Sequence, residues 1–263
     1  MVRPLLVGLS LLCLSACATS PLGHSQLLLF SPEQVAQMGE MAFQEVKQQT
    51  PATEDTALRR YVTCVAGAII DTLESPGAWE VQVFKADTVN AFALPGGKVG
   101  IYTGLLRVTE NEHQLAAVIG HEIAHVLANH SNARLSTTYA TQMGLSALSI
   151  LSGAANPEKQ QLLALLGLGA QVGILLPYGR DQESEADLIG LELMARAGFD
   201  PRESIGLWQN MGRAGGPKPP EFLSTHPSGE SRINSLQQHM PKAMAIYEQA
   251  RTQGRDPHCT HKG

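Results

Sequence analysis

The chain has 263 residues, 43% of them hydrophobic, and is therefore long enough to form one large domain with a substantial core. Its 19 basic residues are outnumbered by 24 acidic ones, giving a formal net charge of −5 at pH 7. Because the sequence also lacks any basic run, the charge argues against nucleic acid as a partner.

The first residues have the layout of a secretory signal. Arg3 precedes an apolar run from Leu5 to Leu14 that is too short to span a bilayer. The segment Leu14-Ser15-Ala16-Cys17 then resembles the lipobox at which bacterial lipoproteins are processed. We expect residues 1–16 to be a lipoprotein signal peptide and Cys17 to be acylated. The alternative is an ordinary signal peptide that happens to precede a cysteine.

The residue after this cysteine predicts a destination. Ala18, where some lipoproteins have aspartate, resembles lipoproteins that are sent to the outer membrane. Several acyl chains on one residue give stable anchoring. The expected location is therefore the outer membrane, lipid-anchored and facing the periplasm, with residues 17–30 as a tether before a domain at 31–251.

Capping and periodicity predict a mostly helical domain. Ser31, Pro32 and Gln34 have the pattern of a capping box with proline at the first helical position, and Thr109 with Glu112 has the pattern of a second box. The predicted elements, in chain order, are helices at 31–49 and 54–73, strands at 79–84, 90–94 and 98–103, and helices at 110–130, 182–197 and 233–246. The three strands predict a small antiparallel sheet.

Two cysteines remain after Cys13 leaves with the signal and Cys17 is acylated. In an oxidising compartment Cys64 and Cys259 are expected to form a disulfide. This bridge would tie the polar tail at 252–263 to the N-terminal helices. The alternative is a pair of buried thiols.

An apolar segment at 145–176 contains two stretches, each shorter than a membrane span, with polar residues between them. Buried helices are one interpretation. The other is a helical hairpin that covers the active-site cleft or dips into a membrane surface.

The pentapeptide HEIAH, from His121 to His125, is the main indication of chemistry. Residues four apart lie on one face of a helix, so His121 and His125 can bind a single metal ion. Two imidazoles suit zinc, and Glu122 can act as general base toward a zinc-activated water.

The third ligand must come from elsewhere in the chain. Metzincins have a histidine where this chain has Ser131, and His130 is expected to point away from the metal on a continuous helix. In the segment ESEAD, Glu183 and Asp187 lie four apart. Glu183 would complete a site with two histidines and one glutamate, while Asp187 would orient a ligand histidine. The alternative is an acidic first turn that only complements the helix dipole.

These motifs together resemble peptidase family M48. The resemblance rests on HEIAH, on ESEAD preceded by Tyr178-Gly179-Arg180, and on the segment from Asn90 to Gly97, and it covers about residues 30 to 245. It implies an α+β, mostly helical zincin-like domain with one Zn²⁺ per chain and with Glu183, not Glu185, as the ligand. The similarity is to the soluble, lipid-anchored periplasmic branch, whose members act on misfolded or misassembled envelope proteins.

The resemblance also implies a substrate strand. The segment from Asn90 to Tyr102 looks like the strand to which zincins bind an extended substrate. The residues expected to contact substrate are Asn90, Ala91, Phe92, Gly96 and Gly97. A plain hairpin is the alternative.

His226, in Thr225-His226-Pro227, has two candidate roles. It would stabilise the developing oxyanion, or it would occupy the open zinc position in a resting enzyme. A turn histidine without a catalytic role is the alternative. Arg180 and Arg232 receive no assigned role.

The sequence thus predicts a zinc-dependent endopeptidase of the bacterial cell envelope, with Glu122, Asp187 and His226 as catalytic residues. Expected partners are unfolded or misassembled envelope proteins, the membrane and outer-membrane assembly machinery. The alternative is a periplasmic chaperone or outer-membrane assembly factor with little proteolysis.

Overall fold

A computed structural model describes residues 17–151, 178–214, 221–226 and 230–260. The predicted signal peptide at 1–16 and most of the apolar segment at 145–176 lie outside these residues. None of the described helices combines the length and the apolar character needed to cross a bilayer.

The described residues form helices around a small sheet, which confirms the predicted α+β, mostly helical class. The helices are α1 (Pro32–Gln49), α2 (Thr56–Ile70), α3 (Glu112–Leu127), α4 (His130–Leu151), α5 (Arg180–Arg196), α6 (Glu203–Ala214), α7 (Glu221–Thr225) and α8 (Glu230–Thr252). The strands are β1 (Cys17–Thr19), β2 (Ser25–Leu27), β3 (Glu80–Phe84), β4 (Ala91–Leu94) and β5 (Lys98–Tyr102), and a 3-10 helix spans Leu105–Arg107.

The first two helices begin at side-chain caps. The Ser31 hydroxyl accepts a hydrogen bond from the Gln34 amide, completing the capping box predicted for α1. The Asp55 carboxylate caps α2 in the same way. The apolar stripe of α2 that faces the core consists of Tyr61, Val62, Val65, Ala66 and Ile69.

The three-stranded sheet has the order β3-β5-β4, and its strands are not all antiparallel. β4 and β5 form the expected antiparallel hairpin, with Gly96 and Gly97 at φ 84° and 75° in the turn. β3, however, pairs with β5 in parallel. Because the chain passes from β3 to the far edge before returning as the central strand, β3 and β5 run in the same direction. β4 is therefore an edge strand, and it lies beside α3.

α3 begins and ends at different residues from those predicted. Its N-cap is Asn111, which accepts a hydrogen bond from the Gln114 amide, not Thr109. α3 ends at Leu127, and Asn129 adopts a left-handed φ of 56° that separates it from α4. His130 is consequently the first residue of a new helix. It lies outside the cluster of potential metal ligands, but its ring contacts the outer nitrogen of His125.

α3 and α5 cross at two glycines. A Cβ atom at Gly120 would lie 2.9 Å from the Gly190 carbonyl oxygen, and one at Gly190 would lie 2.7 Å from the backbone nitrogen of His121. The two backbones can approach so closely only because neither position has a side chain. This contact brings ESEAD toward HEIAH.

Residues 17–30, predicted as a tether, are packed against the domain. β1 and β2 form an antiparallel hairpin, and the Gln26 side chain donates a hydrogen bond to the Ala128 carbonyl. The Leu29 amide donates to the Ser136 hydroxyl of α4. At the other end of the chain, Cys64 and Cys259 form a disulfide.

Candidate metal centre and active site

Two helices bring three potential metal ligands together. The Nε2 atoms of His121 and His125, one turn apart on α3, are 3.1 Å from each other. Glu183, in the first turn of α5, places carboxylate oxygens 3.7 Å from the first of these nitrogens and 3.5 Å from the second. All three side chains are buried.

A fourth side chain, that of His226, joins this cluster from the residue directly after α7. One donor atom from each of His121, His125, Glu183 and His226 lies within 4.8 Å of the other three. Such a group of two or three imidazoles and one carboxylate is the donor set that zinc prefers.

The partners of the outer ring nitrogens indicate that the inner nitrogens carry lone pairs. The Nδ1 atom of His121 lies 3.1 Å from an Asp187 oxygen. An ionised carboxylate only accepts hydrogen bonds, so this Nδ1 donates and Nε2 is left unprotonated. The Nδ1 atom of His125 lies 2.9 Å from Nδ1 of His130, so one of these two nitrogens donates to the other. If His125 is that donor, two lone pairs and a carboxylate face one another, and the site fits a cation.

Glu122 lies beside the ligands and is only half satisfied. One oxygen accepts a hydrogen bond from the Ala93 amide of β4 at 3.1 Å. The other is buried without a hydrogen-bond partner among the described residues and lies 3.3 Å from Nε2 of His226. Burial raises the pKa of Glu122 above its ordinary value. A carboxylate held in this way is suited to accept a proton from a reacting water.

His226 is held inside the site. Its Nδ1 atom is 3.0 Å from a Glu183 oxygen and 3.3 Å from Nε2 of His121. Its ring lies between those of Phe222 and Tyr178, at centroid distances of 4.5 and 5.3 Å. The imidazole therefore occupies the space on the open side of the three predicted ligands.

Arg232, to which the sequence gave no role, is a buried part of the site. Its guanidinium donates two hydrogen bonds to Asp187, both 2.6 Å long, and its Nη1 lies 2.6 Å from Glu183. Such bidentate pairing is specific to arginine. In the sequence, the spacing of Arg232 did not connect it to ESEAD.

The surroundings of Glu183 and Asp187 favour their ionised forms. Burial raises the pKa of Glu183, but its contacts with His125 and His226 outweigh burial and hold the pKa well below the usual range. Burial acts in the same direction on Asp187, where the Arg232 charge and hydrogen bonds hold the pKa below its ordinary value.

Two further residues beside His125 were missed. Tyr178 stacks on the His125 ring at a centroid distance of 3.8 Å. Glu185, which is not one of the predicted ligands, lies 3.3 Å from Nε2 of His130. The segment Ala128-Asn129-His130 contains no glycine and gave no sign that the helix ends there. The position of His130 beside His125 therefore could not be predicted.

The predicted substrate residues lie on or beside β4, next to α3. The Phe92 ring packs with Phe43 and Phe84 on the face of the sheet away from α3. Asn90 is buried and its side chain accepts a hydrogen bond from the Ala91 amide. The residue of β4 that reaches the site is Ala93, through its backbone. Contact of the five predicted residues with substrate stays a prediction.

Comparison with known proteins agrees with this geometry. Residues 52–240 match the model of Peptidase family M48. The chain is 41% identical over 172 residues to the mitochondrial metalloendopeptidase OMA1 of Schizosaccharomyces pombe, covering 65% of this chain and 49% of that protein. It is 35% identical over 244 residues to metalloendopeptidase OMA1, mitochondrial, of Bos taurus, covering 86% and 46%.

A bacterial relative has a different name. The chain is 32% identical over 225 residues to the beta-barrel assembly-enhancing protease of Yersinia pestis, covering 81% of this chain and 45% of that protein. The chain thus spans about half the length of the curated relatives it matches.

The predicted location is wrong. Similar relatives in fungi, plants and animals are named as mitochondrial proteins, which contradicts a lipid-anchored protein of the outer membrane facing the periplasm. The prediction rested on four residues ending at Cys17 and on Ala18, and so short a pattern readily occurs by chance. Cys17 is exposed at the start of β1, and its acylation stays a prediction.

Proposed function

Because this chain belongs to peptidase family M48, we propose that it is a zinc-dependent endopeptidase that hydrolyses internal peptide bonds of protein substrates. The observation that carries the proposal is the convergence of His121, His125 and Glu183, with Glu122 beside them. Relatives named metalloendopeptidases support the same activity.

The proposed ligands are the two histidines of α3 and Glu183 of α5. Bound zinc would polarise the scissile carbonyl and increase the acidity of the attacking water. Asp187 accepts a hydrogen bond from His121 and so holds Nε2 of that ring toward the ligand cluster. Arg232 pairs with both carboxylates, and its charge and hydrogen bonds hold the pKa of Asp187 below its ordinary value.

Glu122 is the proposed general base. Its buried oxygen without a hydrogen-bond partner receives the proton of the attacking water, and the carboxyl then passes that proton to the leaving amine. The Ala93 amide holds the second oxygen during both transfers. No covalent intermediate with the protein is required.

His226 gives this site the features of a resting state. Its ring contacts both Glu183 and Glu122, so a substrate carbonyl and a water cannot enter while it stays in place. Of the two roles considered for this residue, occupation of the fourth position therefore has the stronger support. Departure of the ring on substrate binding would expose the site.

The finer proposal concerns the substrate. We propose misfolded or misassembled envelope proteins, and contact with their assembly machinery, because bacterial relatives are named beta-barrel assembly-enhancing proteases. β4 is the edge strand nearest the site, and an extended peptide paired with it would lie across Glu122. A site closed by His226 also fits a protease that acts only on a bound, unfolded segment.

The test compares Glu122→Gln with wild type on casein, with zinc content measured in parallel. We expect roughly 10²–10⁴-fold slower cleavage with one zinc retained per chain, since only proton transfer is lost. The matched control is Glu45→Gln, which makes the same change at a surface carboxylate of α1 that accepts a hydrogen bond from Gln49. Normal cleavage by the Glu122 variant would refute the assignment.

A further inference from the structure

A chain of polar side chains runs outward from His125. Nδ1 of His125 lies 2.9 Å from Nδ1 of His130, and Nε2 of His130 lies 3.3 Å from a Glu185 oxygen. The other Glu185 oxygen accepts a hydrogen bond from the Leu22 amide at 2.8 Å. All three side chains are buried.

The chemistry of the ends fixes the protons in the middle. Glu185 accepts from the Leu22 amide, and its second oxygen accepts from Nε2–H of His130. Neutral His130 then has a lone pair on Nδ1, which accepts the Nδ1–H of His125. This last hydrogen bond leaves Nε2 of His125 unprotonated and directed at Glu183.

The row of hydrogen bonds that starts at His125 ends at the hairpin formed by β1 and β2. Leu22 lies in the turn between β1 and β2, and Gln26 of β2 donates a hydrogen bond to the carbonyl of Ala128, at the junction of α3 and α4. The hairpin thus contacts both Glu185 and the break between α3 and α4 that allows His130 to face His125. Neither Glu185 nor any residue of the hairpin belongs to the proposed ligand set.

We propose that His130 and Glu185 are positioning residues that fix the tautomer and ring orientation of the ligand His125, and that the N-terminal hairpin completes this support. The inference rests on the proposed function, since it assigns the residues a role toward the zinc ligand. Outer partners of ligand histidines commonly change metal affinity 10–100-fold.

The discriminating pair of variants is His130→Asn and His130→Phe. Asparagine places its Oδ1 where histidine has Nδ1, so it keeps an acceptor for His125 but loses ring volume. Phenylalanine keeps the ring but has no acceptor. A merely structural role predicts that phenylalanine is the better substitute, whereas the positioning role predicts that asparagine is.

The measurement is zinc affinity by competition with a chromophoric chelator, on protein shown to be folded by circular dichroism. We expect His130→Phe to bind zinc roughly 10–100-fold more weakly than wild type, and His130→Asn to bind more tightly than His130→Phe. Zinc affinity of the phenylalanine variant equal to that of wild type would overturn the proposal.

Glu185→Gln tests the link to the hairpin. Leu22 and His130 reach different oxygens of Glu185, and glutamine has only one acceptor oxygen, so one of the two donors loses its partner and zinc affinity should fall several-fold. Glu192→Gln is the matched control, because it makes the same change on the exposed side of α5, where Glu192 pairs with Arg196 and Lys242. An equal effect of the two variants would contradict the link.

A spectroscopic readout does not depend on zinc. In protein labelled with ¹⁵N-histidine and stripped of metal, we expect His130 as the Nε2–H tautomer and His125 as the Nδ1–H tautomer. The opposite pair of tautomers would overturn the proposal. Failure of the proposed function is distinct: wild-type protein would then bind no stoichiometric zinc, whatever the tautomers of these two rings.

Discussion

Replacing Gly190 by alanine should force the two helices of the site apart. The new Cβ would lie 2.7 Å from the His121 backbone nitrogen and 2.9 Å from the Gly120 carbonyl carbon. Ordinary contact begins near 3.4 Å, so α3 and α5 must separate by about 0.7 Å. The displaced atoms belong to the backbone and cannot rotate away.

Two opposing effects set the magnitude. Alanine in a helix interior is favoured over glycine by about 1 kcal/mol, whereas overpacking a core costs about 1–3 kcal/mol. Gly67→Ala isolates the first effect, because Gly67 lies in α2 and an added Cβ there meets no atom within 4 Å. The difference between the two variants is then the steric cost.

The assay is thermal and urea unfolding of the two metal-free variants against wild type. Gly67→Ala should raise the unfolding temperature, and Gly190→Ala should lie below it by roughly 2–12 °C, at about 2–4 °C per kcal/mol for a domain of this size. Equal unfolding temperatures for the two variants would refute the close helix contact.

Three further outcomes follow from other contacts. Arg232→Met should destabilise the metal-free protein by about 3–5 kcal/mol, because it leaves Asp187 and Glu183 as uncompensated buried charges; urea unfolding measures this, and a loss below 1 kcal/mol would contradict it. Exchange of both Cys64 and Cys259 for serine should lower the free energy of unfolding by about 2–5 kcal/mol, since the bridge closes a loop of 195 residues; unchanged stability would refute that estimate. Hydrogen bonds from Lys47 and Lys98 lower the pKa of Glu80 below its ordinary 4.5. The contribution of Glu80 to stability is therefore present above the pKa of the unfolded state and is lost as pH falls through the pKa of the folded state. The wild type should lose stability more steeply in acid than Glu80→Gln, and parallel plots of stability against pH for the two proteins would argue against the pairing.

Local rules were sufficient for the elements whose signals lie within a few residues. The capping box at Ser31 and the apolar stripe of α2 are formed by neighbours in the sequence, and both are confirmed. The same holds for the β4–β5 hairpin, whose turn requires the two glycines at positive φ. Short-range hydrogen bonds and side-chain periodicity decide these features.

Features that depend on the fold were missed. The parallel pairing of β3 depends on which strand occupies the centre of the sheet. The break at Asn129 allows His130 to turn back toward His125. An asparagine in a polar stretch does not by itself predict a left-handed residue. Arg232 lies 45 residues from Asp187 in the chain, and only packing of α8 on α5 brings them together.

The site shows the same division. HEIAH on one helix predicts two imidazoles on one face because the spacing of four is built into the helix. Glu183 came from the family resemblance as much as from its spacing, and the structure places it against both histidines. Most of the side chains that support these residues were not predicted, since His130, Glu185 and Arg232 lie on three different helices and only the fold brings them together.

Anomalous diffraction at the zinc edge, on crystals of the purified protein, tests the central claim most directly. The account predicts one strong peak about 2.0–2.2 Å from Nε2 of His121, from Nε2 of His125 and from a Glu183 oxygen. A protein that cleaves casein with its zinc bound elsewhere, or with Glu183 outside the coordination sphere, would contradict it.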